Sequence, residues 1–234
     1  LPTGHWQQVV STGANRKITY FDALWRPVVV ESFDNTNGTT ANATRSVTVQ
    51  RYDAAGRQAF LSYPMSGLVD YAASGLDGTH TTYDALDRVT KVEQAWEGPG
   101  VLSTTTEYLS GFRTRVTPPR GQGAGSAFQT TTSYLAWDQP TTDFPAAIAH
   151  PEGANTDIAR DVFGKPTALV RRNNSGSTSL TRSYVYDSHQ QLCKAAEPET
   201  GATLMGYDAA GNLTWSAAGL PMGVCLVRDG LEGT

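Results

Sequence analysis

Charge is scarce in this chain. Of 234 residues only 17% are Asp, Glu, Lys or Arg, the formal net charge is -4 and the isoelectric point is about 5.5. No Lys/Arg cluster lines up along the sequence, which argues against a surface that tracks nucleic-acid phosphates. Long apolar runs are missing as well. The longest, such as Pro27-Val28-Val29-Val30, fall far short of the ~20 residues of a membrane-spanning helix. Two cysteines, Cys193 and Cys225, are too few and too far apart for a zinc site or a disulfide scaffold. Two free buried thiols are the expected state, and one Cys193–Cys225 disulfide is the alternative that export would favour. The start, Leu1-Pro2-Thr3-Gly4, has no basic region, no apolar core and no Met, so the chain is expected to be a piece of a longer protein whose export signal lies elsewhere or has been removed.

The usual signatures of catalysis and cofactor binding are also absent. Four histidines, His5, His80, His150 and His189, share no metal-ligand spacing. Gly121-Gln122-Gly123-Ala124-Gly125 lacks the flanking strand, helix and Lys of a phosphate loop. No nucleophile elbow stands in a strand–turn–helix context. The expectation is no enzyme, no cofactor and no metal. No stretch longer than about ten residues combines helical periodicity with caps.

What the sequence does contain is a repeated phrase. Tyr83-Asp84-Ala85-Leu86-Asp87-Arg88-Val89 is matched by Tyr52-Asp53-Ala54-Ala55-Gly56-Arg57, by Tyr207-Asp208-Ala209-Ala210-Gly211-Asn212 and, with Phe for Tyr, by Phe21-Asp22-Ala23-Leu24-Trp25-Arg26. Aligned on the aromatic, eight anchors emerge: Phe21, Tyr52, Tyr83, Tyr108, Tyr134, Arg160, Tyr186 and Tyr207. The steps between them are 31, 31, 25, 26, 26, 26 and 21 residues. One position on, Asp22, Asp53, Asp84, Asp161, Asp187 and Asp208 recur, with Leu109 and Leu135 in the other two units. Four positions on come Gly56, Gly164 and Gly211, or Asp87 and Asp138. Five positions on stands a long or polar donor: Arg26, Arg57, Arg88, Arg113, Gln139, Lys165, Gln191 or Asn212.

The chemistry of one unit follows. Asp accepts a hydrogen bond from an amide two residues on, and the fourth position takes a positive φ, so the chain closes a short hairpin at each anchor. The fifth residue opens the return strand and can pair with the Asp in an exposed ion pair worth roughly 0–1 kcal/mol. Thr79-Thr81-Tyr83, Thr104-Thr106-Tyr108 and Thr130-Thr132-Tyr134 fall on alternate residues, so each trio shares one strand face and forms ladders with its neighbours. Asn37-Gly38 and Asp77-Gly78 read as type I′ hairpins and Asn173-Asn174-Ser175-Gly176 as a further loop. Thr117–Ser126 and Asp143–Gly153 read as irregular. The expectation is an all-β chain of about 16 strands in eight hairpins, occupying residues 1–216, with 217–234 an irregular tail or a truncated next repeat.

Tyr-Asp-x-x-Gly-Arg, with Tyr184-Val185-Tyr186-Asp187, resembles the YD repeat of the Rhs family over about residues 15 to 216. That family includes teneurins and toxin-complex cocoon proteins. The resemblance implies tandem hairpins in a continuous, curved, spiralling antiparallel sheet, here a partial shell. It further implies a secreted or bacterial-surface protein in which such a shell encloses or presents a toxin or an adhesin. The family's shell-closing Pro- and Asp-rich segment has no counterpart at Pro118-Pro119-Arg120 or Glu197-Pro198-Glu199, so self-cleavage is not implied, and a downstream toxin domain is not expected within this sequence. Partners implied are the remainder of a parent protein or another copy met through sheet edges, with toxin cargo or a glycan beyond them. The rival reading from the residues is a carbohydrate- or cell-surface-binding module using Trp6, Trp25, Trp96, Trp137 and Trp215, for which solvent-facing rings are the discriminating observation.

Overall fold

At each Asp-bearing anchor the backbone reverses, and these reversals divide the chain into short antiparallel strands. A computed structural model describes residues 5–67, 70–136 and 141–220. Among them are seventeen strands and one short α-helix, and every pairing between sequence neighbours is antiparallel. The fold is therefore the expected open all-β sheet of hairpin repeats. Sixteen of the strands are the entering and returning arms of the eight units. The seventeenth precedes them.

Two compact units divide the chain. The first, Leu1–Thr106, holds β1 (Trp6–Thr12), β2 (Asn15–Phe21), β3 (Pro27–Asp34), β4 (Ser46–Tyr52), β5 (Gln58–Ser62), β6 (Gly78–Tyr83), β7 (Val89–Ala95) and the start of β8 (Val101–Leu109). Each pairs with the next. Along β3, Val29, Glu31 and Phe33 alternate onto the buried face, and Val47 and Val49 of β4 face them. The helix α1 (Gly38–Thr44) covers Ile18 and Phe33 with Ala41. Met65, Tyr71 and Leu76 from the long β5–β6 connection pack on the valines.

The second unit, Glu107–Thr234, holds β9 (Arg113–Thr117), β10 (Thr130–Tyr134), β11 (Pro145–Ala149), β12 (Ala154–Arg160), β13 (Pro166–Asn173), β14 (Ser179–Tyr186), β15 (Leu192–Glu197), β16 (Gly201–Tyr207) and β17 (Leu213–Leu220). These also pair in sequence order. Among its described residues the buried apolar side chains are Cys193, Ala196, Ala202 and Leu204.

Four local expectations fail, each for a physical reason. Asn37-Gly38 does not turn a hairpin. Asn37 is the N-cap of α1, its Oδ1 accepting from the Thr40 amide at 2.9 Å. Asp77-Gly78 is not a turn either. Neither residue has positive φ, and Gly78 opens β6 opposite Ser62, where a Cβ would lie 2.3 Å from the Leu61 carbonyl oxygen. In the Tyr134 unit the return strand starts at Pro145 rather than at Gln139, so part of the supposedly irregular Asp143–Gly153 stretch is β11. Gln139 and Pro140, with Trp137 and Asp138, lie outside the described residues. Finally, Cys193 is buried and disulfide-bonded rather than a free thiol. Cys225 and most of the expected tail, residues 221–234, lie outside the described residues.

Candidate functional site

The recurring Asp residues act where they stand. In the six units that carry Asp after the anchor, its amide donates to the carbonyl four residues on at 2.9–3.0 Å, and its carbonyl accepts from the amide three residues on at 3.0–3.2 Å. One carboxylate oxygen, Oδ1, takes the amides of the second and fourth following residues at 2.8–3.0 Å. The residue that completes the turn has positive φ every time: Trp25 59°, Gly56 86°, Asp87 61°, Gly164 80°, Gln190 64° and Gly211 86°. The geometry is a type I turn closed by a left-handed residue. In four turns the second oxygen is held from the return strand, by Nε of Arg26 (2.8 Å), Arg57 (2.7 Å) and Arg88 (2.7 Å) and by Nδ2 of Asn212 (3.0 Å). The Tyr108 unit lacks the Asp. Its turn uses Gly111 and Phe112, both at positive φ, and Arg113 Nε donates to the Ser110 carbonyl at 3.0 Å instead.

These bonds favour the ionised carboxylates. Asp53 is held below its ordinary 3.8 by the Arg57 amide first of all, and Asp84 by the Arg88 side chain. At Asp22 burial opposes ionisation, but the Arg26 side chain and the Arg26 and Leu24 amides outweigh it. A depressed carboxylate pKa contributes stability that is complete above the unfolded value and disappears as pH falls through the folded one. The urea midpoint is therefore expected to drop from just above 3.8 downward. The triple substitution Asp22→Asn, Asp53→Asn, Asp84→Asn should flatten that dependence, and an unaltered acid slope in the variant would refute the assignment.

The register reveals a second function of the same residues, which the one-dimensional repeat does not display. Extrapolating four of the ladders to the turn, the fifth residue of one unit lies opposite the anchor of the next: Arg26 by Tyr52, Arg57 by Tyr83, Lys165 by Tyr186 and Gln191 by Tyr207. The cation sits over the ring at 4.4, 4.8 and 4.9 Å in the first three. Each anchor hydroxyl then donates to the carbonyl of the residue after that cation or amide. Tyr52 reaches Pro27 (2.9 Å), Tyr83 reaches Gln58 (2.9 Å), Tyr186 reaches Pro166 (3.1 Å) and Tyr207 reaches Leu192 (2.9 Å). The Arg160 unit inverts the chemistry, with its guanidinium 5.8 Å over Phe144. Every such rung ties one hairpin to the next. Burial pushes the Tyr52 and Tyr186 hydroxyls above 10.0, so both remain donors at neutral pH. Tyr52→Phe is expected to lower stability by about 0.5–1.5 kcal/mol, measured by urea unfolding, because the Pro27 carbonyl loses its partner.

A bulge accompanies each of these turns. The residue seven beyond the anchor is skipped in the pairing: Val28, Ala59, Thr90, Thr167, Cys193 and Thr214. Thr90 and Thr214 donate from Oγ1 to the carbonyls of Thr82 (3.2 Å) and Gly206 (3.0 Å). Cys193 Sγ lies 3.3 Å from the matching Val185 carbonyl.

Around β1 the rung is wholly aromatic. Trp6 pairs with Phe21, and the Trp6 and Trp25 rings stack at 5.1 Å and 19°. Trp6, Trp25, Trp96 and Trp215 are all exposed, at 58%, 62%, 51% and 41%. The histidines remain dispersed. His5 lies beside Tyr71, His80 beside Phe60, and His150 Nε2 is 3.0 Å from the Thr156 hydroxyl, while His189 is in its turn. An open groove of about 600 Å³ lies beside His150, Glu152, Asn155 and Arg171. Among the described residues no three His, Cys, Asp or Glu side chains are grouped as metal ligands, and no helix is long and apolar enough to cross a membrane.

No family model and no curated protein matches the chain. Solved structures do. The crystal structure of TcdB2-TccC3 is similar over 93% of this chain at 13% identity and a TM-score of 0.48. TcdB2-TccC3-TEV is similar over 87% at 11% and 0.35, and TcdB2-TccC3 without its hypervariable C-terminal region over 88% at 11% and 0.36. The chain spans 13–14% of the length of those proteins.

Proposed function

We propose that this chain is a structural YD-repeat module of a larger secreted or surface Rhs-like protein, contributing wall to a β-shell that encloses or presents a toxin or an adhesin. The observation that carries the reading is the rung. Here the repeated residues are occupied in joining hairpin to hairpin: Asp closes its own turn, and the cation and tyrosine bind the next unit. A disulfide-bonded Cys193 supports an oxidising compartment. Such a wall has no catalytic role. Small-angle scattering with light scattering tests the reading: a curved or hollow particle, or association through sheet edges, is expected. A monodisperse monomer shaped as a flat sandwich would overturn it.

The second reading, a glycan-binding face, has one observation in its favour, the exposed Trp6–Trp25 stack. Saturable quenching of tryptophan fluorescence by neutral oligosaccharides, lost in Trp25→Ala, would establish it. No change at tens of millimolar would dismiss it.

A further inference from the structure

Five described residues other than glycine have positive φ. Four of them, Trp25, Asp87, Phe112 and Gln190, close repeat turns at the fourth position after the anchor. The fifth, Glu152 (φ 64°, ψ 16°), belongs to no repeat turn. It sits in the Pro151–Gly153 connection between β11 and β12, in a conformation that Gly or Asn adopts with less strain. Its side chain is exposed and has no ion pair or hydrogen bond among the described residues. Nothing within the described chain therefore rewards a glutamate at this strained position.

Two recesses of the second unit meet at Glu152. One, of about 600 Å³, runs along β12, β13 and β14. The other, of about 490 Å³, runs toward β9 and β10. His150, Glu152, Gly153 and Asn155 line both, and both volumes suit a ligand site. The register builds the first recess. Arg171 lies opposite Thr156 on one side and Leu180 on the other, so the three share one sheet face. Thr156 is buried, and its hydroxyl lies 3.0 Å from His150 Nε2, which holds the imidazole beside that face. Asn155 Nδ2 donates to Asn174 Oδ1 at 2.8 Å. Gly153 leaves room for this pair, because a Cβ there would lie 2.8 Å from Asn174 Nδ2. Arg172 is occupied by Asp157 at 2.7 Å. The exposed Arg171 guanidinium, like Glu152, has no ion pair or hydrogen bond among the described residues.

The groove thus offers one free carboxylate and one free guanidinium around a floor of Thr156 and Leu180, with amides at its rim. β11, β12 and β13 are each paired on both sides, so no ladder edge is open there to the backbone of an extended peptide. A carboxylated pyranose satisfies the set through side chains alone. Its carboxylate fits the Arg171 fork, neighbouring hydroxyls donate to the two oxygens of Glu152, and its C–H face covers Leu180. We propose that this groove binds an acidic oligosaccharide, with a sugar carboxylate on Arg171 and the chain of sugars passing Glu152 from one recess to the other. The site belongs to the second unit. It requires neither the Trp6–Trp25 stack of the first unit nor a place for the sheet in a shell.

The test is calorimetry with saturation-transfer NMR on the full chain, using sialyllactose and tri-galacturonate as acidic probes and lactose as the neutral one. Saturable binding of an acidic probe is expected, with lactose at least tenfold weaker. The probe that binds distinguishes a sialic-type source from a uronate one. Arg171→Ala and Glu152→Gly should each weaken binding at least tenfold. Glu152→Gly should also leave the urea midpoint unchanged or higher, since glycine relieves the strain. Trp25→Ala should leave this binding intact. No saturable binding of either acidic probe at tens of millimolar, equal binding of lactose, or binding that survives both groove substitutions would overturn the site. So would a lower urea midpoint in Glu152→Gly, or a response confined to a control peptide carrying Lys and Glu.

Discussion

Replacing Arg45 by alanine is expected to lower the stability of the N-terminal unit by about 3–5 kcal/mol, the range for stranding one member of a buried ion pair. Glu31 is 3% exposed in the middle of β3, on the same face as Val29 and Phe33. Its carboxylate is paired with the Arg45 guanidinium, which also lies 4.7 Å over the Phe33 ring. Arg45 is the C-cap of α1, so the same pair fastens the helix to the sheet. Removing the cation leaves a carboxylate among valines, where ionisation and burial conflict. Replacing both members, Glu31→Met with Arg45→Met, removes the stranded charge and should cost less than Arg45→Ala alone. Urea unfolding followed by circular dichroism measures both variants. A single-variant loss below about 1 kcal/mol would show the pair to be solvated.

The second large effect is at Phe60. The ring is 3% exposed, lies 4.5 Å from the His80 ring, and has the Arg51 guanidinium 5.1 Å above it. Phe60→Ala is expected to destabilise by about 3–5 kcal/mol through lost burial and the cavity left behind. Gly78 is the neighbour that makes room for it. A Cβ there would meet the Phe60 ring at 2.8 Å, but also the Leu61 carbonyl oxygen at 2.3 Å and the Ser62 Cα at 2.7 Å. Gly78→Ala should therefore cost about 1–3 kcal/mol by overpacking. Adding Phe60→Ala should not rescue it, because the backbone contacts persist. Full rescue in the double variant would mean that the ring alone sets the limit.

The Asp turns are legible from sequence because their chemistry is local. Asp53 and everything its carboxylate binds lie within five residues, so spacing alone announces the geometry. The Asn37-Gly38 misreading has the opposite cause. Asn favours both hairpin turns and helix N-caps, and what selects the cap is Ala41 packing on Ile18 and Phe33 from elsewhere in the chain. Glu31 left a readable trace, a lone charge in an apolar alternation, but its partner could be found only in three dimensions. The tyrosine hydroxyls are in the same position. Their targets, such as Pro27 for Tyr52, lie 15 to 25 residues away, and the strand register has to be known before the pairing can be read.

The rungs also bear on how such a chain can change length. Every rung joins a fixed place in one hairpin to a fixed place in the next, and the loop between them enters into neither. Connections of quite different size are accordingly tolerated, from the two residues between β1 and β2 to the long crossing between β5 and β6. Gain or loss of a complete unit leaves every surviving rung with a partner, whereas a cut inside a unit separates an anchor from its cation. Ancestral duplication and recombination would therefore be filtered in whole units, which makes length the cheapest property of this molecule to evolve.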